Sequence, residues 1–496
     1  MSENKQKTII IVGAGPGGLV AGMLLSHYGF KVKIFEKESV PGGRNGYLQL
    51  GNYKFDIGPT FFMMDYVLRD IFSSTGRNLE DYVEMTKLSP MYRLFFEDKY
   101  LDIYDEKEKM RDELKRVFPG EENGIDKFMA KEKQRLNKLF PLLSNHNNNI
   151  FEVFSWRFFR ALPAFAIGRS LFSVMGNYFK SEYAKLSFTF QSKYLGMSPW
   201  ECPGAFAMVP YVEHASGIYH SRGGISETAL AMARVIKENK GEIFYNKKVK
   251  QLILENKKVV GVELQDGQKE FADEVVVNAD FSYAMKNLIP PGILKKWSPE
   301  KLKKKRYSCS IFMLYLGINK TLPLLHHNIA FAQNYRQNIL DVFSGKLTEK
   351  DFSFYVRDAT KTDPTLAPSG KSALYILVPV ANNRTGINWT EKKQEIRNRV
   401  LELMNIRLGV GDLSKNIEVE KIITPDDWEK DFNVDLGAVF NLAHNLGQML
   451  WLRPHNRFEE LQNLYLVGGG THPGSGLPTI YQSGKIAADL IKEKYL

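Results

Sequence analysis

The segment from Lys7 to Glu36 limits what this chain can fold into more than any other. Thr8 to Val12 is a short apolar run rich in β-branched residues, the pattern of a strand buried in a parallel sheet. It stops at Gly13. Gly13, Gly15 and Gly18 follow in the GxGxxG spacing, with Pro16 and Gly17 inside the motif. A small-residue helix from about Gly17 to Tyr28 ends at Gly29, and a second strand, Lys31 to Phe35, delivers Glu36 and Lys37. Gly13 permits the tight strand-to-helix turn, Gly15 lets a pyrophosphate approach the backbone, and Gly18 lets helix and strand pack closely. The helix N-terminus offers free N–H groups and a partial positive charge to phosphates. Glu36 stands about 20 residues on, where an acid accepts hydrogen bonds from an adenosine ribose and disfavours a 2′-phosphate, so NADP is not expected. Glycine clusters also mark ordinary turns, but here strand, glycines, helix, strand and acid occur in order.

Just past Glu36 the chain reads Pro41-Gly42-Gly43-Arg44. The glycine pair lets backbone approach a second part of a cofactor, and Arg44 can pair with its phosphates. This combination resembles the FAD fingerprint of the amine oxidase and carotenoid desaturase superfamily, and implies FAD rather than NAD. A hairpin around Gly51-Asn52 runs into Asp56-Ile57-Gly58-Pro59-Thr60. That segment is similar to one in the phytoene desaturase family, where it lies beside the flavin ring; the resemblance carries the role onto Gly58, Pro59 and Thr60. It likewise carries a backbone contact with adenine onto Val249. Gly223-Gly224 also match the family, although Tyr219-His220-Ser221 replaces its aromatic–proline pair, and Asn278-Ala279-Asp280 resembles its asparagine–alanine–acid turn. Near the C-terminus, a strand from Leu464 to Val467 enters Gly468-Gly469-Gly470. A loop with His472 follows, and a helix starts near Pro478. The resemblance implies that Gly469, Gly470, Leu477 and Pro478 meet the same cofactor, with the helix N-terminus aimed at the flavin pyrimidine. Glycine stands at Gly470 where most related flavoproteins have an acid. His472 is read as a structural loop residue.

The chain has 496 residues, 44% hydrophobic and 25% charged, the composition of a folded globular protein. Its 67 Lys and Arg against 56 Asp and Glu give a net charge of +11, which favours anionic partners. No nucleic-acid motif is present, which leaves an acidic membrane surface or a generally basic soluble enzyme. Cys202 and Cys309 are the two cysteines; they offer neither metal-ligand spacing nor a disulfide framework, so a reducing, cytoplasmic compartment is expected and no metal site. A signal peptide does not fit the polar residues before the first strand, and no apolar run is long enough to span a bilayer.

Residues from about Tyr66 to Asn149 read as helices and loops, with a polar loop at Ser144–Asn149 whose His146 is a surface residue. Ile150 to Lys180 carries Phe151, Phe154, Trp156, Phe158, Phe159, Phe165, Phe172 and Phe179 around Arg157, Arg160 and Arg169, broken by Pro163 and Gly168. Such a mixture suits a membrane interface or an aromatic cap over a core. Glu242 to Asp280 is a β-meander with turns at Asn256-Lys257 and Asp266-Gly267. Tyr375 to Val378 is a strand ended by Pro379, and the adjacent His326 and His327 would face opposite ways on a strand.

The resemblance covers nearly the whole chain and implies an α/β fold: a Rossmann-like FAD-binding domain (1–65, 215–285 and 455–496), a mixed-sheet substrate domain (66–140 and 286–454) and a helical membrane-facing part (141–214). It implies FAD-dependent desaturation of a long hydrophobic polyene such as phytoene by a peripherally membrane-associated enzyme. A carotenoid oxygenase, a cis–trans isomerase and a non-enzymatic isoprenoid escort protein share parts of the pattern. No paired acid and base stands out, so no catalytic residue is assigned, and the oligomeric state is left open.

Overall fold

In the computed structural model, which describes residues 6–143, 156–348 and 350–496, the first strand occupies Thr8–Val12 and alternates its burial between two layers. Successive strand residues point to opposite faces of a sheet. Ile9 and Ile11 pack on the helices Pro16–His27, Ser226–Glu238 and Leu477–Tyr495, whereas Ile10 and Val12 pack on an antiparallel three-stranded layer of 249–255, 258–264 and 269–271. The sheet between is wholly parallel, in the order 464–466, 274–277, 8–12, 31–35, 242–244. Residues from both ends of the chain thus lie in one sheet. The first and last helices cross closely: a Cβ on Gly484 would lie 2.4 Å from the carbonyl oxygen of Gly17.

A second sheet has seven strands in the order 417–423, 310–318, 372–380, 354–358, 327–330, 92–95, 100–103. All pairs are antiparallel except 327–330 with 92–95. The same alternation sorts its central strand. Phe312, Leu314 and Leu316 bury against the helix Trp389–Leu408, and Ile311, Met313 and Tyr315 face the opposite core.

Several expectations are corrected. The stretch read as helices and loops also supplies strands at Met85–Lys87, Tyr92–Phe95 and Tyr100–Ile103, segments too short for their alternation to register. Pro379 does not end its strand, which runs from Ser372 to Val380. Pro379 pairs with Ile311 on one side, and the pairing of Leu377 with Tyr355 is the last on the other, so its missing N–H costs no sheet bond there. In the aromatic segment Trp156 and Phe159 are exposed, whereas Phe179 is buried and Phe172 packs on the core. Ser144–Asn149, His146, Phe151 and Phe154 lie outside the described residues. Among the described residues no helix is long and apolar enough to cross a membrane, and no cluster of metal-ligating side chains occurs.

Candidate functional site

A cavity of about 1090 Å³ begins where the first and last strands of the parallel sheet end and continues along the seven-stranded sheet. Ligands of open α/β sheets sit in that crevice beyond the carboxyl ends of the strands. Gly13 turns the chain at φ +93°, and its carbonyl oxygen accepts a bond from the Asn278 side-chain amide at 3.1 Å. Glu36 is buried and ties the turn down: one carboxylate oxygen accepts from the Ala14 N–H at 2.7 Å, the other from the Glu38 N–H at 2.9 Å. Burial is the largest influence on this carboxyl and pushes its pKa up, against the two backbone donors. Gly15 caps the helix Pro16–His27 with no side-chain bond, and the helix Leu477–Tyr495 starts the same way at Gly476. Both helix starts line the cavity, so uncapped N-termini with their partial positive charge open onto it from two sides.

Of the residues singled out in the sequence, the cavity is lined by Gly13, Gly15, Pro16, Glu36, Lys37, Gly43, Arg44, Gly58, Pro59, Thr60, Val249, Gly469, Gly470, Leu477 and Pro478. Gly17, Gly18 and Gly42 stand behind the wall. A Cβ on Gly18 would come within 2.4 Å of the Gly13 carbonyl oxygen, and one on Gly17 within 3.2 Å of the Gly468 nitrogen. Gly42 has φ +116° and closes on the backbone of Asn45 and Gly46. A Cβ on Gly15 would also meet the Asn278 amide at 2.8 Å, a neighbour the spacing does not reveal. Gly470 has no room for the acid found in most related flavoproteins, because a Cβ there would lie 2.5 Å from Phe281 Cβ and 2.7 Å from Asn441 Oδ1.

Further side chains complete the wall. Asp280 lines the cavity and accepts from the Asn441 amide at 2.5 Å; burial raises its pKa to about 6, against the pull of Arg44. Arg44 donates to the Val439 carbonyl at 2.5 Å, and burial lowers its pKa. The fully buried Arg453 holds the last glycine loop, donating to the Gly469 oxygen at 2.7 Å and the Thr471 oxygen at 3.0 Å. On the opposite wall three tyrosines of the seven-stranded sheet hold the Ile57–Thr60 strip. Tyr315 donates to the Ile57 oxygen and Tyr375 to the Gly58 oxygen, each at 2.7 Å, and the Tyr355 hydroxyl lies 2.8 Å from Thr60 Oγ1. Behind them lies a buried polar cluster. Arg357 pairs with Asp56 at 2.9 Å, and donates to His326 Nε2 at 3.2 Å and His220 Nδ1 at 3.1 Å. Both acceptor nitrogens must be unprotonated, so His220 carries its proton on Nε2 and donates to Asp363 at 2.9 Å. Burial, first among the causes, pushes the pKa of both histidines down, consistent with neutral rings.

These residues fit a dinucleotide: two uncapped helix starts, a buried acid, an enclosed arginine, and glycines such as Gly43 whose Cβ would meet only Gly15 Cα, at 3.7 Å, and otherwise stand in open space. Beyond this end the cavity is apolar, lined among others by Phe158, Phe165, Phe190, Leu195, Ile311 and Ile329.

Comparison with known proteins agrees with this geometry. Residues 16–492 match the family described as flavin containing amine oxidoreductase. The chain is 52% identical, over 99% of its length and 96% of the other's, to a 4,4′-diapophytoene desaturase (4,4′-diapolycopene-forming) of Methylomonas sp. It is 35% identical to a zeta-carotene-forming phytoene desaturase of Myxococcus xanthus, over 99% and 95% of the two chains. An oxidoreductase crystal structure from Methanosarcina mazei shares the fold at TM-score 0.63 and 17% identity, with 98% and 100% of the two chains covered. The chain belongs to the flavin-containing amine oxidoreductase family, as an FAD-dependent oxidoreductase.

Proposed function

We propose that this enzyme desaturates a linear carotenoid precursor of the 4,4′-diapophytoene class, using the glycine-lined end of the cavity for FAD and the apolar end for the polyene. The observation that carries the reading is the continuity of the two ends in one cavity. Its volume of about 1090 Å³ exceeds the range of about 300–1,000 Å³ usual for one small ligand, as a site for a dinucleotide and a second long molecule requires. Bound FAD supplies the hydride acceptor. The chain's residues do the rest. Gly13, Gly15 and the two helix starts take the phosphates and flavin pyrimidine, Glu36 takes the ribose, and Gly58–Thr60, clamped by Tyr315, Tyr355 and Tyr375, sets the flavin against the substrate. A hydrocarbon has no polar handle, so the aromatic lining binds it by apolar burial and shape. In this reading the described residues of 1–65, 215–285 and 455–496 hold the cofactor, those of 66–140 and 286–454 shape the substrate end, and those of 141–214 form the entrance.

The entrance faces a membrane surface in this proposal. Trp156, Phe159 and Ile167 are 73%, 49% and 66% exposed, while Phe158, Phe165 and Ile167 line the cavity, so one short stretch presents apolar side chains both outward and inward. A polyene leaving lipid there would not cross water. The test is expression beside a 4,4′-diapophytoene-forming pathway, with pigments separated and the flavin followed anaerobically. New conjugated double bonds with bleaching of the flavin are expected. A product changed only in double-bond geometry, with the flavin still oxidised, would replace the proposal with an isomerase; an oxygenated product would replace it with an oxygenase.

A further inference from the structure

The desaturase reading leaves one chemical requirement without an owner. Removing two hydrogens from adjacent carbons sends one away as hydride, to FAD. The other leaves as a proton while its C–H electrons become the new π bond, and that proton needs a base.

Most titratable groups on the cavity wall are already engaged or unsuited. The Glu36 and Asp280 carboxylates are bonded at the glycine-turn end. The Tyr375 hydroxyl donates to the Gly58 oxygen, and Tyr355 is held between Thr60 and His327. His444 Nε2 accepts from the Ser475 N–H at 3.0 Å. Burial pushes the Cys309 thiol up to about 12. Lys37, Glu38, Lys248, Lys421, Asp427 and Asp431 are partly or fully open to solvent.

Lys193 is itself half-buried, and it differs from these in lying on the apolar stretch of the wall. It lies on the short helical turn Phe190–Leu195, whose Phe190 and Leu195 also line the apolar part of the cavity. Among the described residues its ammonium has no ion pair and no hydrogen bond. Its nearest charged-state partner is the Tyr335 ring, whose centroid lies 4.8 Å away, with the Phe331 ring at 6.0 Å. The titratable groups facing it are Tyr335, from the helix Tyr335–Ser344, and Cys309, from the approach to the strand Ser310–Ile318. Neither is a carboxylate. With no carboxylate beside it, burial lowers the Lys193 pKa to about 7. The turn also leans on the flavin end: Gly196 is close-packed on Phe440, whose carbonyl oxygen accepts from Ser475 Oγ at 2.8 Å, immediately before Gly476.

We propose that the neutral Lys193 amine is the base that accepts the proton released from the polyene, resting on the desaturase reading above. The bonds balance: the substrate loses a hydride and a proton and gains one C=C bond, FAD takes the hydride with its electron pair, and Nζ becomes an ammonium. That ammonium faces the cavity and an aromatic ring, which can stabilise it until the proton is passed to solvent.

The test uses the FAD-loaded enzyme, 4,4′-diapophytoene in liposomes and anaerobic flavin bleaching, with Lys193→Met and Lys193→Arg. In the parent the bleaching rate should rise with pH to a plateau, with a midpoint near the lysine's value of about 7. Both variants should lose about 10²–10⁴-fold in rate and lose the pH limb, while FAD stays bound. Arginine keeps the charge and the ring contact but cannot release a proton, so a parent-like Lys193→Arg would show that only charge is needed and overturn the proposal. Bleaching of Lys193→Met at the parent rate would overturn it as well. Independently of activity, competitive acetylation of the parent read by mass spectrometry should show Lys193 reacting with a midpoint near that of its lowered pKa; an ordinary lysine profile would also refute the assignment. A parent that never bleaches with the polyene overturns the desaturase reading, and this assignment with it.

Discussion

Arg357→Met is the perturbation whose cost can be worked most directly from the structure. Arg357 and Asp56 have side chains 3% and 2% exposed and meet at 2.9 Å. Removing the arginine leaves the Asp56 carboxylate buried, with the Ser226 N–H donating to it at 3.1 Å. His220 Nδ1 and His326 Nε2 lose their donor in the same step. Breaking a buried pair from one side costs about 3–5 kcal/mol, and each orphaned acceptor adds to that. With an unfolding entropy of about 2.1 cal/mol/K per residue, a chain of 496 residues has roughly 1 kcal/mol/K at its midpoint. The melting temperature of the apoprotein should therefore fall by at least roughly 3 °C. Because Asp56 leads directly into the Ile57–Thr60 strip, FAD should also be retained less well after gel filtration. Asp56→Leu combined with Arg357→Met removes the stranded charge and should recover part of the loss, which a double-mutant cycle reads as coupling. A single variant melting within about 1 °C of the parent, with full flavin retention, would refute the argument that this pair holds the cavity wall.

Three further outcomes follow from the same coordinates. Gly18→Val should abolish FAD retention, because a Cβ at Gly18 meets the Gly13 oxygen at 2.4 Å; undiminished absorbance near the flavin bands after purification would refute this. Burial lowers the pKa of His214 to about 4, and a base with a depressed folded pKa gives stability that is present above its unfolded value and lost as pH falls through the folded one. Between pH 6.5 and about 4 the parent should therefore lose up to about 3 kcal/mol that His214→Phe does not, measured as the difference in urea midpoints; parallel curves would refute this. Replacing Trp156, Phe159 and Ile167 together with Glu should release the protein from anionic liposomes in a sedimentation assay while the flavin stays bound, since each large side chain buried in lipid contributes about 1.5–3 kcal/mol. Unchanged sedimentation would place the lipid contact elsewhere.

The sequence by itself determined the parallel-sheet core, the glycine turn with Glu36, the second glycine pair with Arg44, the meander turns and the C-terminal glycine loop. These were legible because each depends on local backbone demands. A turn at φ +93° needs glycine, a sheet covered on both faces needs a continuous apolar strand, and a helix start near phosphate needs no side chain in the way. The meander turn follows the same rule, with Asn256 and Lys257 at φ +44° and +63°. Only the tertiary structure decided the rest. Arg357, Arg453, Tyr315, Tyr355, Tyr375 and Lys193 carry no motif, and each takes its role from partners far away in the chain. Tyr375 meets Gly58 across 317 positions and Lys193 sits beside Cys309. The reason given by the spacing for Gly15 shows the same limit: its lack of a side chain was readable, but the neighbour it makes room for, Asn278, comes from another strand's end. A local pattern specifies backbone shape, whereas the burial of a charge depends on what the whole fold brings next to it, and that proximity is written in no single stretch of residues.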